Sequence, residues 1–331
     1  MPELALLIAV IAAAIGFGVV NGFNDAANAV AASIGSRAIS PRNGIVLAAF
    51  CDFAGAATGL EVAKTIGKGI LVPEAISYLT VIAGLVAVIV WGTIATRLGL
   101  PVSITHGFVT GLAAAGIAVV GWEAVMWGIL GRIGASVAIT PTLGFIGGFA
   151  LMIVLLRLLR RSAPSRMRVV FSRLQWLTTA FLAYSHGKND GQMPIGVITM
   201  ALVIHTGRAE LWDNIPWWVI IMSALAISLG TLIGGWRVIR TVGMKITALQ
   251  PIHGFASQAA AATIIEIASR LGIPVSTTHC ATAATMGVGA TRRLSAVRWG
   301  VTRSIVLAWI LTFPICGALG WIMASLLKLA F

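Results

Sequence analysis

The sequence is poor in charge. Only 10% of its 331 residues are Asp, Glu, Lys or Arg, against about 25% in a soluble domain. A core of this size with so few charges cannot be given a water-facing outside. Cysteine is scarce, and Cys51, Cys280 and Cys316 stand alone in apolar surroundings without metal-ligand spacing; they read as small buried side chains. No Lys or Arg precedes Arg37, and Glu3 stands near the start. The first apolar run therefore lacks the positive n-region of a cleaved signal peptide, and a non-cytoplasmic N-terminus is expected.

What is there is hydrocarbon. Hydrophobic residues make up 58% of the chain and the mean hydropathy is +0.97. Apolar runs of about 18 residues or more recur, the length that crosses a bilayer core. The pattern predicts an all-α polytopic membrane protein, and the 37 glycines suit close helix packing in lipid. The net charge of +13 does not point to nucleic acid, because the basic residues cluster in short loops as cytoplasmic loops do.

The chain repeats itself. Residues 96–106, TRLGLPVSITH, match residues 269–279, SRLGIPVSTTH, at eight of eleven positions with an offset of 173. Gly22, Asn24 and Asp25 match Gly187, Asn189 and Asp190 at offset 165, and VAKTIGKGI (62–70) matches VIRTVGMKI (238–246) at offset 176. Three blocks in one order indicate two copies of a unit, residues 1–156 and 174–331. The linker 157–173 between them carries six arginines and is expected in the cytoplasm. The segment 290–299 holds Arg292, Arg293 and Arg298, whereas its match 117–127 holds Glu123 and no basic residue. Opposite charge bias at equivalent loops predicts copies of inverted topology, with both termini non-cytoplasmic. Lys64 and Arg240 are matched, as are Arg97 and Arg270, so one of each pair falls on the unexpected face; such a residue binds something or snorkels from a helix end. About 10–12 helical segments are expected, some of them broken or re-entrant, with breaks between 22 and 28, between 139 and 142, and at Pro314.

Inverted repeats with broken helices suit a secondary transporter that holds its substrate near the bilayer midplane. The polar stretch VNGFNDAANAV places Asn24, Asp25 and Asn28 inside an apolar run, and YSHGKNDGQMPIGV places Asn189, Asp190 and Gln192 in the other copy. Gly22 can end a half-helix that Asn24 or Asp25 then restarts. Each residue alone can be a cap or an interhelical hydrogen bond. Two intramembrane carboxylates at matched positions are harder to explain structurally. The PVS-TH blocks supply Ser103, Thr105, Ser276, Thr277 and Thr278 at two helix starts, where hydroxyls and free N–H groups favour an anion; N-capping is the plainer alternative. Asp52 is a third buried carboxylate, matched by Ser228, and Asp25, Asp52 and Asp190 are the candidates for a coupling ion. His106 and His279 stay open between local hydrogen bonding and proton relay, and His186, His205 and His253 receive no role.

The paired GFNDAANAV and GKNDGQMPIG motifs, with two PVS-TH segments, resemble the inorganic phosphate transporter (Pit) family, whose hallmark is a repeated G-x-N-D. The resemblance covers nearly the whole chain. It implies phosphate translocation in a multi-pass cell (inner) membrane protein, through a core transport domain formed by both repeats, beside a scaffold domain, in a homodimer. Asp52 stands where the first repeat of the family often has a glutamate. The second copy reads Asn189-Asp190-Gly191-Gln192-Met193 where many members have N-D-x-x-N. N-D-G-Q resembles the bacterial branch and favours protons over sodium. No cofactor is expected beyond that coupling ion. Transport of sulfate or of a neutral metal–phosphate complex is the alternative. A channel is a further rival. No enzyme is expected, since residues 276–279 resemble a helix start and not a catalytic triad.

Overall fold

A computed structural model describes residues 2–330. Among the described residues there is no β-strand, only an isolated bridge from Leu71 to Val125. The α-helices are α1 (Pro2–Gly35), α2 (Pro41–Ala56), α3 (Glu61–Gly69), α4 (Tyr78–Leu98), α5 (Ile104–Val119), α6 (Trp127–Leu158), α7 (Pro164–Asp190), α8 (Gln192–Thr206), α9 (Trp217–Ile233), α10 (Trp236–Arg240), α11 (Pro251–Arg270), α12 (Thr277–Ala290) and α13 (Trp299–Ala330). A π-helical turn, Thr241–Lys245, continues α10.

Local chemistry sets these boundaries. Pro41, Pro164 and Pro251 open α2, α7 and α11, where a missing N–H is harmless. Ser77 and Thr80 form a capping box on α4. Ser103 and Ser276 cap α5 and α12 by accepting from the amides of His106 and His279. Gly99 ends α4 at φ 73°, a left-handed conformation that favours glycine.

α1, α4, α6 and α13 are each long and apolar enough to cross a membrane, and the pairs α2 with α3 and α9 with the α10 segment count as two further spans bent by 68° and 61°. α5 and α12, with 16 and 14 residues, reach about 24 and 21 Å at 1.5 Å per residue, short of a ~30 Å hydrocarbon core. Helices pack crosswise between the first and second halves of the chain: α5 lies on α13 and α12 on α6, while α2 lies on α7 and α9 on α1. Two glycine contacts bring the latter pairs close. A Cβ on Gly187 would strike the Asp52 carbonyl oxygen, and one on Gly22 would strike that of Ile227. Outward faces of α6 and α13 expose Ile139, Leu143, Ile146, Leu307, Ile310 and Ile322.

Several expectations change. α1 runs unbroken through Gly22, Asn24 and Asp25, because Asn24 and Asp25 find side-chain partners on other elements and Gly22 sits against the α9 backbone. α6 and α13 pass through Pro141 and Pro314 without a break. In the second half the joint falls at Gly191, after the Asn-Asp pair, separating α7 from α8. Among the described residues the thirteen α-helices exceed the 10–12 expected segments because α3 and α10 are short pieces at the bends.

Candidate functional site

Two apolar cores divide the interior. One takes Leu7 to Val20 of α1 and Met193 to Ala201 of α8; the other takes Ala27 to Ile34 of α1 and Leu182 and Ala183 of α7. The polar stretches of α1 and α7 lie at this boundary. The first turns of α5 and α12 meet there too, with the His106 and His279 rings 5.4 Å apart between centroids. Two helix N-termini thus converge on two carboxylates, all of it buried.

The threonines are exchanged between halves. Thr278 Oγ1 donates to Asp25 Oδ1 at 2.6 Å and Thr105 Oγ1 donates to Asp190 Oδ1 at 3.4 Å. Thr277 Oγ1 adds a bond to Asp190 Oδ2 at 2.8 Å. Asn28 Nδ2 donates to Thr278 Oγ1 at 2.7 Å and to the Asp25 carbonyl at 3.1 Å.

The first asparagine of each motif latches the loop before the short helix of the same copy. Asn189 Nδ2 donates to Ser269 Oγ (2.9 Å) and the Ile273 carbonyl (3.2 Å), and its Oδ1 accepts from the Val275 amide at 3.2 Å. With its amide turned to satisfy both ends, Asn24 donates to Asp25 Oδ1 (3.0 Å) and the Val102 carbonyl (3.3 Å) and accepts from Thr96 Oγ1 (2.5 Å).

His186 completes the cluster. Its Nδ1 donates to Asp52 Oδ1 at 2.8 Å, and Thr231 Oγ1 donates to Asp52 Oδ2 at 2.7 Å. His186 Nε2 lies 3.2 Å from Asp190 Oδ2 but off the hydrogen-bond axis, so it has no partner. Asp25, His186 and Asp190 bring one ligand atom each within 4.8 Å of one another, a spacing that can hold a cation. Asp25 Oδ2 and Asn28 Oδ1 are also buried without partners. Leaving such a group unpaired costs about 1–3 kcal/mol, so these atoms gain most from a bound ion.

Comparison with known proteins adds a name to this geometry. The model of the Phosphate transporter family matches residues 21–320. The chain belongs to that family. It is 38% identical over 310 residues to the probable low-affinity inorganic phosphate transporter of Rhizobium meliloti, covering 93% of this chain and 92% of that one. With the protein of the same description from Bacillus subtilis it shares 37% over 333 residues, 99% of each. A solved structure titled the sodium-dependent phosphate transporter superposes with a TM-score of 0.90 at 28% identity, covering 99% of this chain and 100% of that one. The chain is therefore a multi-pass membrane transporter and not an enzyme.

Within the transporter, Asn24, Asp25, Asn28 and Thr278 form one hydrogen-bonded group and Thr105, Asp190 and Thr277 a second; the two meet through the close approach of Asp25, His186 and Asp190, while Asn189 only fastens the loop before α12. Ser103 and Ser276 serve as helix caps at the edge of this network. Gln192 points its amide elsewhere: Oε1 accepts from the Val62 and Ala63 amides at 2.9 and 3.2 Å, and Nε2 donates to the Thr58 carbonyl. It fastens the bend between α2 and α3. Asp52 joins the network only through His186. Reading the sequence missed His186, Thr96, Ser269 and Thr231. The first stands four residues before Asp190, one helical turn, and Thr96 and Ser269 open the matched RLG-x-PVS blocks.

Proposed function

We propose that the transporter carries inorganic phosphate into the cell as a cation-coupled symporter working by alternating access, with protons favoured over sodium. The observation that carries this is the pair Asp25 and Asp190, both buried, beside an imidazole at two converging helix starts. Hydroxyls and helix N-termini suit an oxyanion. Two carboxylates do not, unless positive charge accompanies the anion. A site built this way admits phosphate only together with protons or cations, which is what coupling requires. The membrane field opposes a dianion by about 4.6 kcal/mol at ~100 mV, roughly three decades of accumulation, so uncoupled binding does not concentrate it.

His186 supports protons. It offers a ring nitrogen among the carboxylates, with Nε2 unpartnered 3.2 Å from Asp190 Oδ2, and histidine is a common proton shuttle. The related structure named for sodium dependence makes sodium the rival, with Asp25 and Asp190 as oxygen ligands. The matched element order and crosswise packing support an inverted repeat whose two copies rock about this cluster. The linker face is then cytoplasmic, both termini lie away from it, and the family resemblance favours a homodimer.

The test is labelled phosphate uptake by reconstituted vesicles. Asp25→Asn or Asp190→Asn should abolish uptake while the protein still folds; wild-type rates in either variant defeat the assignment. Excess sulfate should leave uptake unchanged, and uptake should not depend on Mg²⁺ at fixed phosphate.

A further inference from the structure

Lys64, Lys68 and Arg132 line a groove of ≈ 350 Å³ between α3, α6 and the loop Leu271–Pro274. Arg132 lies near the start of the 32-residue α6, and the arginine-rich linker follows its other end. The groove therefore opens on the face opposite the linker. Three cations there run against the charge bias that orients membrane proteins, and Lys64 is one of the matched residues that fall on the unexpected face.

Their partners do not explain them. Lys64 Nζ lies 3.6 Å from Asp213, whose side chain is 75% exposed. Lys68 Nζ sits over the Trp212 ring, 5.5 Å from its centroid. Among the described residues neither Lys68 nor Arg132 has a carboxylate within 4.0 Å. At the matched mouth on the linker face, by contrast, Arg237 packs its Cβ 3.1 Å from the Cβ position of Gly99 and donates to the Arg97 carbonyl.

The groove is also one loop away from the acid cluster. Thr65 Oγ1 donates to the Gly272 carbonyl at 2.7 Å, holding the loop to α3. From the other side Asn189 holds the Ile273 carbonyl and the Val275 amide. Past Ser276 the loop enters α12, whose first residues Thr277 and Thr278 bond Asp190 and Asp25. A cleft with one sign of charge focuses its field and raises the local concentration of the opposite ion.

We propose that Lys64, Lys68 and Arg132 form an entry site that collects a phosphate-type oxyanion one loop outside the acid cluster. This rests on phosphate being the cargo. The entry site acts on capture and not on the carrying step, so it governs KM at low salt and leaves Vmax alone. Ordinary salt shortens electrostatic reach to about 8 Å and weakens the capture.

The experiment measures phosphate uptake by cells lacking other phosphate carriers, and by vesicles of phosphatidylcholine alone or with phosphatidylglycerol, across ionic strength. The Lys68→Gln, Arg132→Gln double variant should raise KM by about fivefold at low salt, keep Vmax, and lose the rise of KM with salt that the wild type shows. Lys68→Arg with Arg132→Lys should behave as wild type, as should Arg160→Gln with Arg161→Gln on the linker face. An unchanged KM and salt profile in the double variant overturns the proposal while phosphate transport stands. An effect confined to vesicles with phosphatidylglycerol assigns the groove to a lipid headgroup and also overturns it. A wild type that takes up no phosphate defeats the functional reading itself.

Discussion

On the Asp190 side of the cluster, positions 186 and 52 hold His186 and Asp52; on the Asp25 side the matched positions, at offsets of 165 and 176, hold Asn21 and Ser228. The framework is otherwise shared. Each aspartate accepts from a threonine of the other copy, and each asparagine latches the loop of its own copy. The titratable chain Thr231–Asp52–His186 exists on one side only. Its counterpart is neutral: both amide atoms of Asn21 are unpartnered, and Ser228 Oγ donates to the Ala49 carbonyl at 2.8 Å. In the proposed function, duplication accounts for the anion site. In the same proposal, the difference between the copies is what assigns proton coupling to the Asp190 side.

The comparison can be broken in stages. Asp25→Asn and Asp190→Asn strike what the halves share, and each should lower vesicle uptake by about 100-fold or more, as loss of one member of a buried charged cluster does. His186→Asn makes the two halves alike. Uptake should fall about tenfold, the worth of one charged hydrogen bond, and its pH dependence should flatten. A lower rate with an intact pH profile would mean that His186 only positions Asp52. The threonines sharpen the contrast further: the 2.6 Å bond of Thr278 should matter more than the 3.4 Å bond of Thr105. Thr278→Val is expected to raise the phosphate KM about tenfold and Thr105→Val about threefold. Equal effects would remove that ranking.

The smallest effect concerns stability. Gly187→Ala and Gly22→Ala force a Cβ against backbone in the two matched crossings, which should cost about 1–3 kcal/mol each, read as lower melting midpoints in detergent. Gly128→Ala meets nothing within 4 Å and should leave the midpoint in place. A fall of similar size at Gly128 would show that the crossings are not what limits stability.

How much was legible in the sequence follows from these residues. The RLG-x-PVS and Asn-Asp blocks announced the duplication, and the exchanged threonines stand inside the quoted motifs. The continuity of α1 was not legible. Asn and Asp usually disturb helices by competing for nearby backbone groups, but Asn24 reaches α4 and the loop before α5 and the Asp25 carboxylate accepts from α12, so tertiary partners take up these side chains. His186 was passed over because a repeat search rewards likeness, and its matched residue is an asparagine. Gln192 was drawn into the site by the resemblance of its N-D-G-Q motif to the family's; only packing shows its Oε1 accepting from the first amides of α3.

The most direct test imposes sodium and pH gradients separately on vesicles containing the purified transporter. An inward proton gradient without sodium should concentrate labelled phosphate, and His186→Asn should weaken that response. Accumulation that needs a sodium gradient and ignores pH would contradict the account.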